Sequence, residues 1–153
     1  MSLLKKSAVD RLIEAAVSAR VRAYCPYSRY PVGAAVLTEE GRVFTGCNVE
    51  NASYGLTICA ERVAVFQAVV AGPALIRAVA VVGTKANPCG ACRQVLLEFS
   101  DMRTKAFIVD LDASSGRRVT RTLVSRLLPL SFDARSAGLL PSRPAKLSPR
   151  SPR

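Results

Sequence analysis

The chain contains no histidine. That excludes the serine–histidine and cysteine–histidine pairs of many nucleophilic enzymes, and it leaves thiolates and carboxylates as the side chains able to hold a metal. No apolar run approaches the ~20 residues needed to cross a bilayer, so no membrane partner is expected. The opening stretch MSLLKKSAVDRLIEAAVSAR lacks the apolar segment of a signal peptide, and its Asp10 and Glu14 do not suit an acid-poor transit peptide. A cytoplasmic location is the expectation. The five cysteines are odd in number and two stand in a Cys-x-x-Cys, which suits metal or redox chemistry in a reducing compartment better than a disulfide framework. There is no internal repeat.

Acidic residues are also scarce, 11 against 22 lysines and arginines, and the resulting formal charge of +11 raises the question of a nucleic-acid partner. Its distribution argues against one. The tail PSRPAKLSPRSPR carries Arg143, Lys146, Arg150 and Arg153 without an acid, and removing those four from +11 leaves +7 on the body. There the basic residues are scattered and lack the regularly placed aromatics of a single-strand stacking platform. What remains is a globular composition. With 153 residues, half of them apolar, the chain can bury roughly 70% of its unfolded surface in one core. One catalytic domain over residues 1–140 is expected, followed by a basic, Pro-rich, disordered tail over 141–153.

Residues 7–23 place Leu12, Ile13, Ala16, Val17 and Ala23 at helical spacing, with Asp10, Arg11, Glu14 and Arg20 off that face. Two apolar strands follow at 32–37 and 43–48, joined through Glu39-Glu40-Gly41, where glycine supplies the positive φ of a tight turn. CAERVAVFQAVVA is helix material stopped by Gly72 and Pro73, apolar around nearly its whole circumference and therefore expected to be buried. A strand at 76–83, a helix at 92–99, strands at 105–111 and 118–121 and a short helix to Leu128 complete the order. Strands alternating with helices after an opening hairpin predict a three-layer α/β/α domain with a mixed five-stranded sheet.

The chemistry concentrates in two segments. Cys89-Gly90-Ala91-Cys92 starts a helix, where two cysteines three apart can turn both sulfurs toward one ion at about 2.3 Å. Alone, it leaves a redox pair, half of a structural zinc site and ordinary buried thiols all open. Cys59-Ala60-Glu61 adds a third sulfur at the start of another helix and a carboxylate beside it. Structural zinc sites close all four positions, whereas a catalytic zinc keeps one for water, whose pKa it lowers toward ~7. Glu61 then has a task as proton shuttle. The pattern C-x-E followed by P-C-x-x-C fits the signature of zinc-dependent base deaminases, with Cys59 where many members have histidine. Zinc with three thiolates carries −1, so a positive group should compensate. The N-termini of both helices supply part of it, and Arg62 reads equally as a second source or as a surface arginine. Cys25 and Cys47 read as small packing residues.

With these residues in place, the chain resembles the small zinc-dependent cytidine deaminases of pyrimidine salvage. The resemblance is carried by YCPYSRYPVGAAV, GCNVENASYG, CAERVAV, PCGACRQVL and LLPLSF, and spans residues 23–132. It implies that Cys59, Cys89 and Cys92 hold one Zn2+ per subunit and that Glu61 moves protons during hydrolytic deamination of cytidine or deoxycytidine. It implies further that Asn48 and Glu50 bind the ribose hydroxyls, which suits an amide and a carboxylate. Ala52 and Tyr54 match positions that a neighbouring subunit contributes near the sugar, and Phe132 a C-terminal aromatic that closes the site. Arg62 matches an arginine that hydrogen-bonds the zinc thiolates. The family's small members are homotetramers with shared sites.

Two features depart from the pattern. Tyr30 stands where the family often has a phenylalanine against the base, and its hydroxyl needs a partner or water if buried. The basic tail beyond Pro141 matches nothing in the family. Two other readings stay open: a deaminase of a modified cytosine nucleoside or nucleoside antibiotic, and, from the net charge, a zinc-stabilised nucleic-acid-binding or editing protein.

Overall fold

A computed structural model describes residues 4–72, 75–112 and 116–140. The basic tail over 141–153 lies outside the described residues. The elements are α1 (Lys6–Arg20), β1 (Gly33–Thr38), β2 (Val43–Cys47), a 3-10 turn (Tyr54–Leu56), α2 (Ala60–Val70), β3 (Ile76–Gly83), α3 (Gly90–Glu98), β4 (Ser100–Asp110), β5 (Arg118–Leu123) and α4 (Val124–Leu127). The five strands form one sheet in the order β2-β1-β3-β4-β5. Only β3 and β4 run parallel; the other neighbouring pairs are antiparallel. The sheet is mixed, as the sequence predicts, because α3 is the one helix that serves as a crossover between adjacent strands.

Side-chain alternation along the strands assigns the layers. Ala35, Leu37, Ala78, Ala80, Val82, Phe107 and Val109 turn to one face and meet Leu12, Ile13 and Ala16 of α1. Ala34, Val36, Val79, Val81 and Ala106 turn to the other, against α2, α3 and Val124 of α4. Alternate residues of one strand therefore feed two cores, which is why β1 and β3 are apolar along almost their whole length. Each fully buried Val, Leu or Ile contributes roughly 1.5–3 kcal/mol against the entropy of ordering the chain.

Two glycines let the helices come close. A Cβ on Gly33 would lie 2.1 Å from the Ala16 carbonyl oxygen of α1, and one on Gly46 would lie 2.5 Å from both the Ala60 carbonyl oxygen and the Ala64 nitrogen of α2. The hairpin turn forms as expected: Gly41 has φ 83°, and the Thr38 N–H donates to the Arg42 carbonyl at 2.9 Å.

α1 stops at Arg20, short of Ala23, and three further elements differ from expectation. α3 starts at Gly90. β4 begins at Ser100 instead of 105, because the polar segment Ser100-Asp101-Met102-Arg103-Thr104 joins the strand through a register shift and the Thr104 hydroxyl donates to the Ile76 carbonyl at 2.7 Å. α2 is buried on one side only: Ala60, Glu61, Ala64, Val65 and Ala68 are enclosed, while Phe66 and Val70 are exposed. Its outer face carries apolar side chains that have no partner among the described residues.

Candidate metal centre and its cavity

The N-termini of α2 and α3 converge. Cys59 is the N-cap of α2 and Cys89 the N-cap of α3, both with extended backbone angles. On a helix the N-cap side chain and that of the third helical residue are neighbours, the relation used by a capping box. In α3 that third residue is Cys92, and the Cys89 and Cys92 sulfurs lie 3.5 Å apart. In α2 it is Arg62, whose Nη2 lies 3.6 Å from the Cys59 sulfur and 3.3 Å from the Thr57 carbonyl. Cys-x-x-Cys and Cys-x-x-Arg are thus the same local geometry with different third residues.

The Cys59 and Cys89 sulfurs are 4.0 Å apart, and all three sulfurs lie within 4.8 Å of one another. Tetrahedral zinc with bonds of about 2.3 Å holds its sulfurs about 3.8 Å apart, close to the 3.5 and 4.0 Å separations from Cys89 to its two neighbours, so the cluster has the size that zinc requires. A hydrogen bond from the Cys92 thiol, aided by Arg62, pulls the Cys59 thiol down to about 5, while the same bond and burial push Cys92 up. Sulfurs that share protons in this way are relieved when a dication replaces the protons. Zinc is the cofactor this donor set accommodates, one per chain, with one position left free of protein ligands.

Glu61 sits in the first turn of α2, 4% exposed. Burial raises its pKa above the usual carboxylate range, and the neighbouring Cys59 charge adds to the effect. A cavity of about 280 Å³ opens beside it, lined among others by Tyr30, Asn48, Cys59, Glu61, Asn87 and Cys89. The placement of Asn48 follows from two ladders. Residues 48–50 pair with Tyr24 on one side and Ile58 on the other, through bonds of 2.8–3.0 Å, which sets them alongside the entry to α2.

Asn48 accepts the Val32 N–H at 2.8 Å and donates to the Tyr30 carbonyl at 3.0 Å, leaving one amide hydrogen and one lone pair free. Glu50 does not line the cavity. Its Oε2 accepts the Tyr27 and Ser28 N–H groups at 2.9 and 3.1 Å, and its Oε1 accepts the Ser28 hydroxyl. The Ser28 hydroxyl is the main reason its pKa lies below the usual value. Ala52, Tyr54 and Phe132 lie away from the cavity on exposed backbone, Tyr54 at 75% and Phe132 at 64% exposure.

The Tyr30 hydroxyl finds its partner in the Thr84 carbonyl, and its pKa is raised, chiefly by burial. Sequence reading passed over the segment it contacts. Lys85, Ala86 and Asn87 form a cavity wall, and Asp110 at the end of β4 accepts the Lys85 N–H at 2.9 Å. A single aspartate at a strand end carries no signal of such a role.

Comparison with known proteins agrees with this geometry. Residues 6–108 match the family described as the cytidine and deoxycytidylate deaminase zinc-binding region. The cytidine deaminase of Sporosarcina psychrophila is 43% identical over 127 residues, 81% of this chain and 90% of that protein. That of Halalkalibacterium halodurans is 47% identical over 126 residues, 80% of this chain and 92% of that one. The crystal structure of the cytidine deaminase from Burkholderia pseudomallei superposes with a TM-score of 0.74 at 47% identity, covering 80% of this chain and 98% of that one. Three sulfurs set for zinc, a buried glutamate at their side and this extent of shared sequence and fold place the chain in the cytidine and deoxycytidylate deaminase zinc-binding family.

Proposed function

We propose that the protein hydrolytically deaminates free cytidine and deoxycytidine to uridine and deoxyuridine, releasing ammonia. The observation that carries this reading is the burial of Glu61 beside the three-sulfur cluster, in a cavity it shares with Asn48. Zinc, when held by Cys59, Cys89 and Cys92, supplies a water acidified enough to act as nucleophile at neutral pH.

The remaining steps belong to the chain. Glu61 accepts the proton released as oxygen adds to C4 of the cytosine, and delivers a proton to ring N3. It then takes the remaining proton from the new C4 hydroxyl and passes it to the 4-amino group; the C4–N bond breaks, ammonia departs, and the oxygen added becomes O4 of the product. Its enclosure keeps bulk water from competing for that proton, and its raised pKa suits a group that must both take and give one near neutrality. Arg62 offsets the negative charge of the thiolates. Asn48 has the spare donor and acceptor that a ribose hydroxyl requires, while Glu50 fixes the Tyr27–Ser28 backbone and offers remaining lone pairs. The Tyr30 ring lies on the base side.

The site is completed by a second copy in a homotetramer. Support comes from the exposed apolar side chains: Tyr54, Leu56 at 71% and, on the outer face of α2, Phe66 and Val70. Ala52 and Tyr54 then serve a neighbour's cavity, and Phe132 closes its own. The role is salvage of pyrimidine nucleosides in the cytoplasm, carried out by a domain within residues 1–140. The small cavity suits one nucleoside better than a polynucleotide.

The test is ammonia release from cytidine and deoxycytidine by purified protein, with a chelator-stripped sample and a zinc-restored sample alongside. Release that disappears with the metal and returns with zinc is expected. A folded, zinc-loaded protein that leaves both nucleosides intact overturns the reading. Light scattering gives the mass of the assembly, and a monomer that turns over at full rate overturns the shared site.

A further inference from the structure

One wall of the cavity that Asn48 lines is not a regular element. It is a short connection from β3 to α3, and Lys85 within it has φ 53°, the left-handed region that residues other than glycine seldom adopt. The segment doubles back tightly, since a Cβ on Gly83 would lie 2.7 Å from that of Ala86. A backbone in this conformation persists only where its surroundings hold it.

The restraints come from two stretches of the chain. In the first, the Tyr30 hydroxyl reaches across 54 positions of sequence to donate to the Thr84 carbonyl. Tyr30 is itself fixed, its carbonyl accepting from Asn48 at 3.0 Å and its N–H donating to the Ser28 hydroxyl at 3.1 Å. In the other, Asp110 Oδ1 accepts the N–H groups of Lys85 and Asp112 at 2.9 and 3.0 Å, and its Oδ2 accepts from Arg118 at 3.1 Å. An ion pair of 3.8 Å between Lys85 and Asp112 lies in the same patch. The zinc-ligand end is held separately, because Arg93 Nε donates to the Pro88 carbonyl at 2.7 Å and Cys89 is already the cap of α3.

We propose that Tyr30 and Asp110 are positioning residues that together hold residues 84–87 and so set the wall against which the nucleoside binds. Tyr30 thereby has two parts, a ring toward the base and a hydroxyl that holds that wall. This is a specificity device built on the reading of the cavity as a nucleoside site. Because the metal end has its own anchor in Arg93, releasing the clamp loosens binding and spares the chemistry.

Y30F, D110N and the double variant test it. Each single change is expected to raise KM for cytidine about three- to tenfold, the range of one hydrogen bond, with kcat within about twofold and zinc still at one per chain. Because both act on one segment, the double variant should fall short of the product of the two single effects. Hydrogen exchange provides a readout independent of turnover: the amides of Lys85, Ala86 and Asn87 should exchange faster in Y30F, although its lost bond is to the Thr84 carbonyl. Unchanged exchange in Y30F, unchanged KM in both singles, or fully multiplicative effects would overturn the clamp. A wild-type protein inactive on cytidine would refute the proposed function instead, and the exchange result would still decide the clamp.

Discussion

Gly46 is the point at which the packing of α2 can be tested against the chemistry it carries. A Cβ there would meet two backbone atoms of α2 at 2.5 Å and the Val63 Cβ at 2.9 Å, where ordinary contact begins at 3.4 Å. In Gly46→Ala, neither backbone atom can rotate away, so α2 must move off β2 by about 0.9 Å. Overpacking of this kind costs about 1–3 kcal/mol. For a chain of this length each kcal/mol moves the thermal midpoint about 2–4 °C, so a fall of about 2–12 °C is expected. The same movement shifts the Cys59 cap relative to Cys89, whose sulfur lies 4.0 Å distant, and Glu61 with it. A displacement near 1 Å at reacting groups can cost about 10²-fold in rate.

Calorimetry, steady-state kinetics and metal analysis on one preparation separate the two effects. Gly41→Ala is the control. Gly41 has φ 83° and nothing within 4 Å of an added Cβ, so that variant strains the backbone at a turn remote from the cavity. It should lose stability by about 1 kcal/mol and keep its kcat. If Gly46→Ala instead kept its midpoint within 2 °C and its kcat within about twofold, the contact between α2 and β2 would not be holding the metal centre in register.

Glu61→Gln preserves shape and leaves the thiols untouched, so it should retain zinc by metal analysis while losing about 10²–10⁴-fold in kcat; a near wild-type rate would remove Glu61 from the proton path. Arg62→Gln removes a charged donor 3.6 Å from Cys59 and is expected to slow turnover by roughly ten- to a hundredfold, with an unchanged rate and pH–rate profile counting against charge compensation. Glu50 has a folded pKa below its ordinary 4.5, so its stabilising effect is complete above that value and is lost as pH falls through the lower folded one. The thermal midpoints of wild type and Glu50→Gln should therefore differ near neutrality and converge in acid, and a constant gap would show that Glu50 acts through shape alone.

The layers and the succession of elements along the chain were legible because the elements that set them are long and monotonous in character. β3 spans the same eight residues, Ile76–Gly83, that its apolar run marks, and α1 keeps the helical spacing of Leu12, Ile13 and Ala16. The metal centre was legible for a different reason. Cys59, Glu61, Arg62, Cys89 and Cys92 lie within one helical turn of a cap, where short spacing fixes mutual geometry. What stayed hidden depends on contacts distant in sequence. Asp110 meets Lys85 across 25 positions and Tyr30 meets Thr84 across 54, each through a backbone atom that every residue type possesses. The start of β4 was missed because its first residues are polar and gain their place from pairing with β3 and not from their own pattern. The exposed face of α2 has a similar cause: apolar sequence announces burial without saying whether the partner belongs to the same chain.

The absence of histidine is an electrostatic constraint that the arrangement of charges meets. Zinc with three thiolates is one unit more negative than zinc with two thiolates and an imidazole, and an uncompensated charge would weaken it as a Lewis acid. Arg62 returns one positive charge at 3.6 Å from Cys59, and the N-termini of α2 and α3 each add about half a charge. Those contributions require no further residues, because the caps and third positions that orient the sulfurs are the places where the helix dipole is strongest. The balance reaches Glu61 as well. Burial and the Cys59 thiolate push its pKa up, while Arg62 draws it down. In the proposed mechanism a carboxyl that takes a proton and then gives it away works best between those pulls, and the same Arg62 charge would act on both the thiolates and the carboxyl.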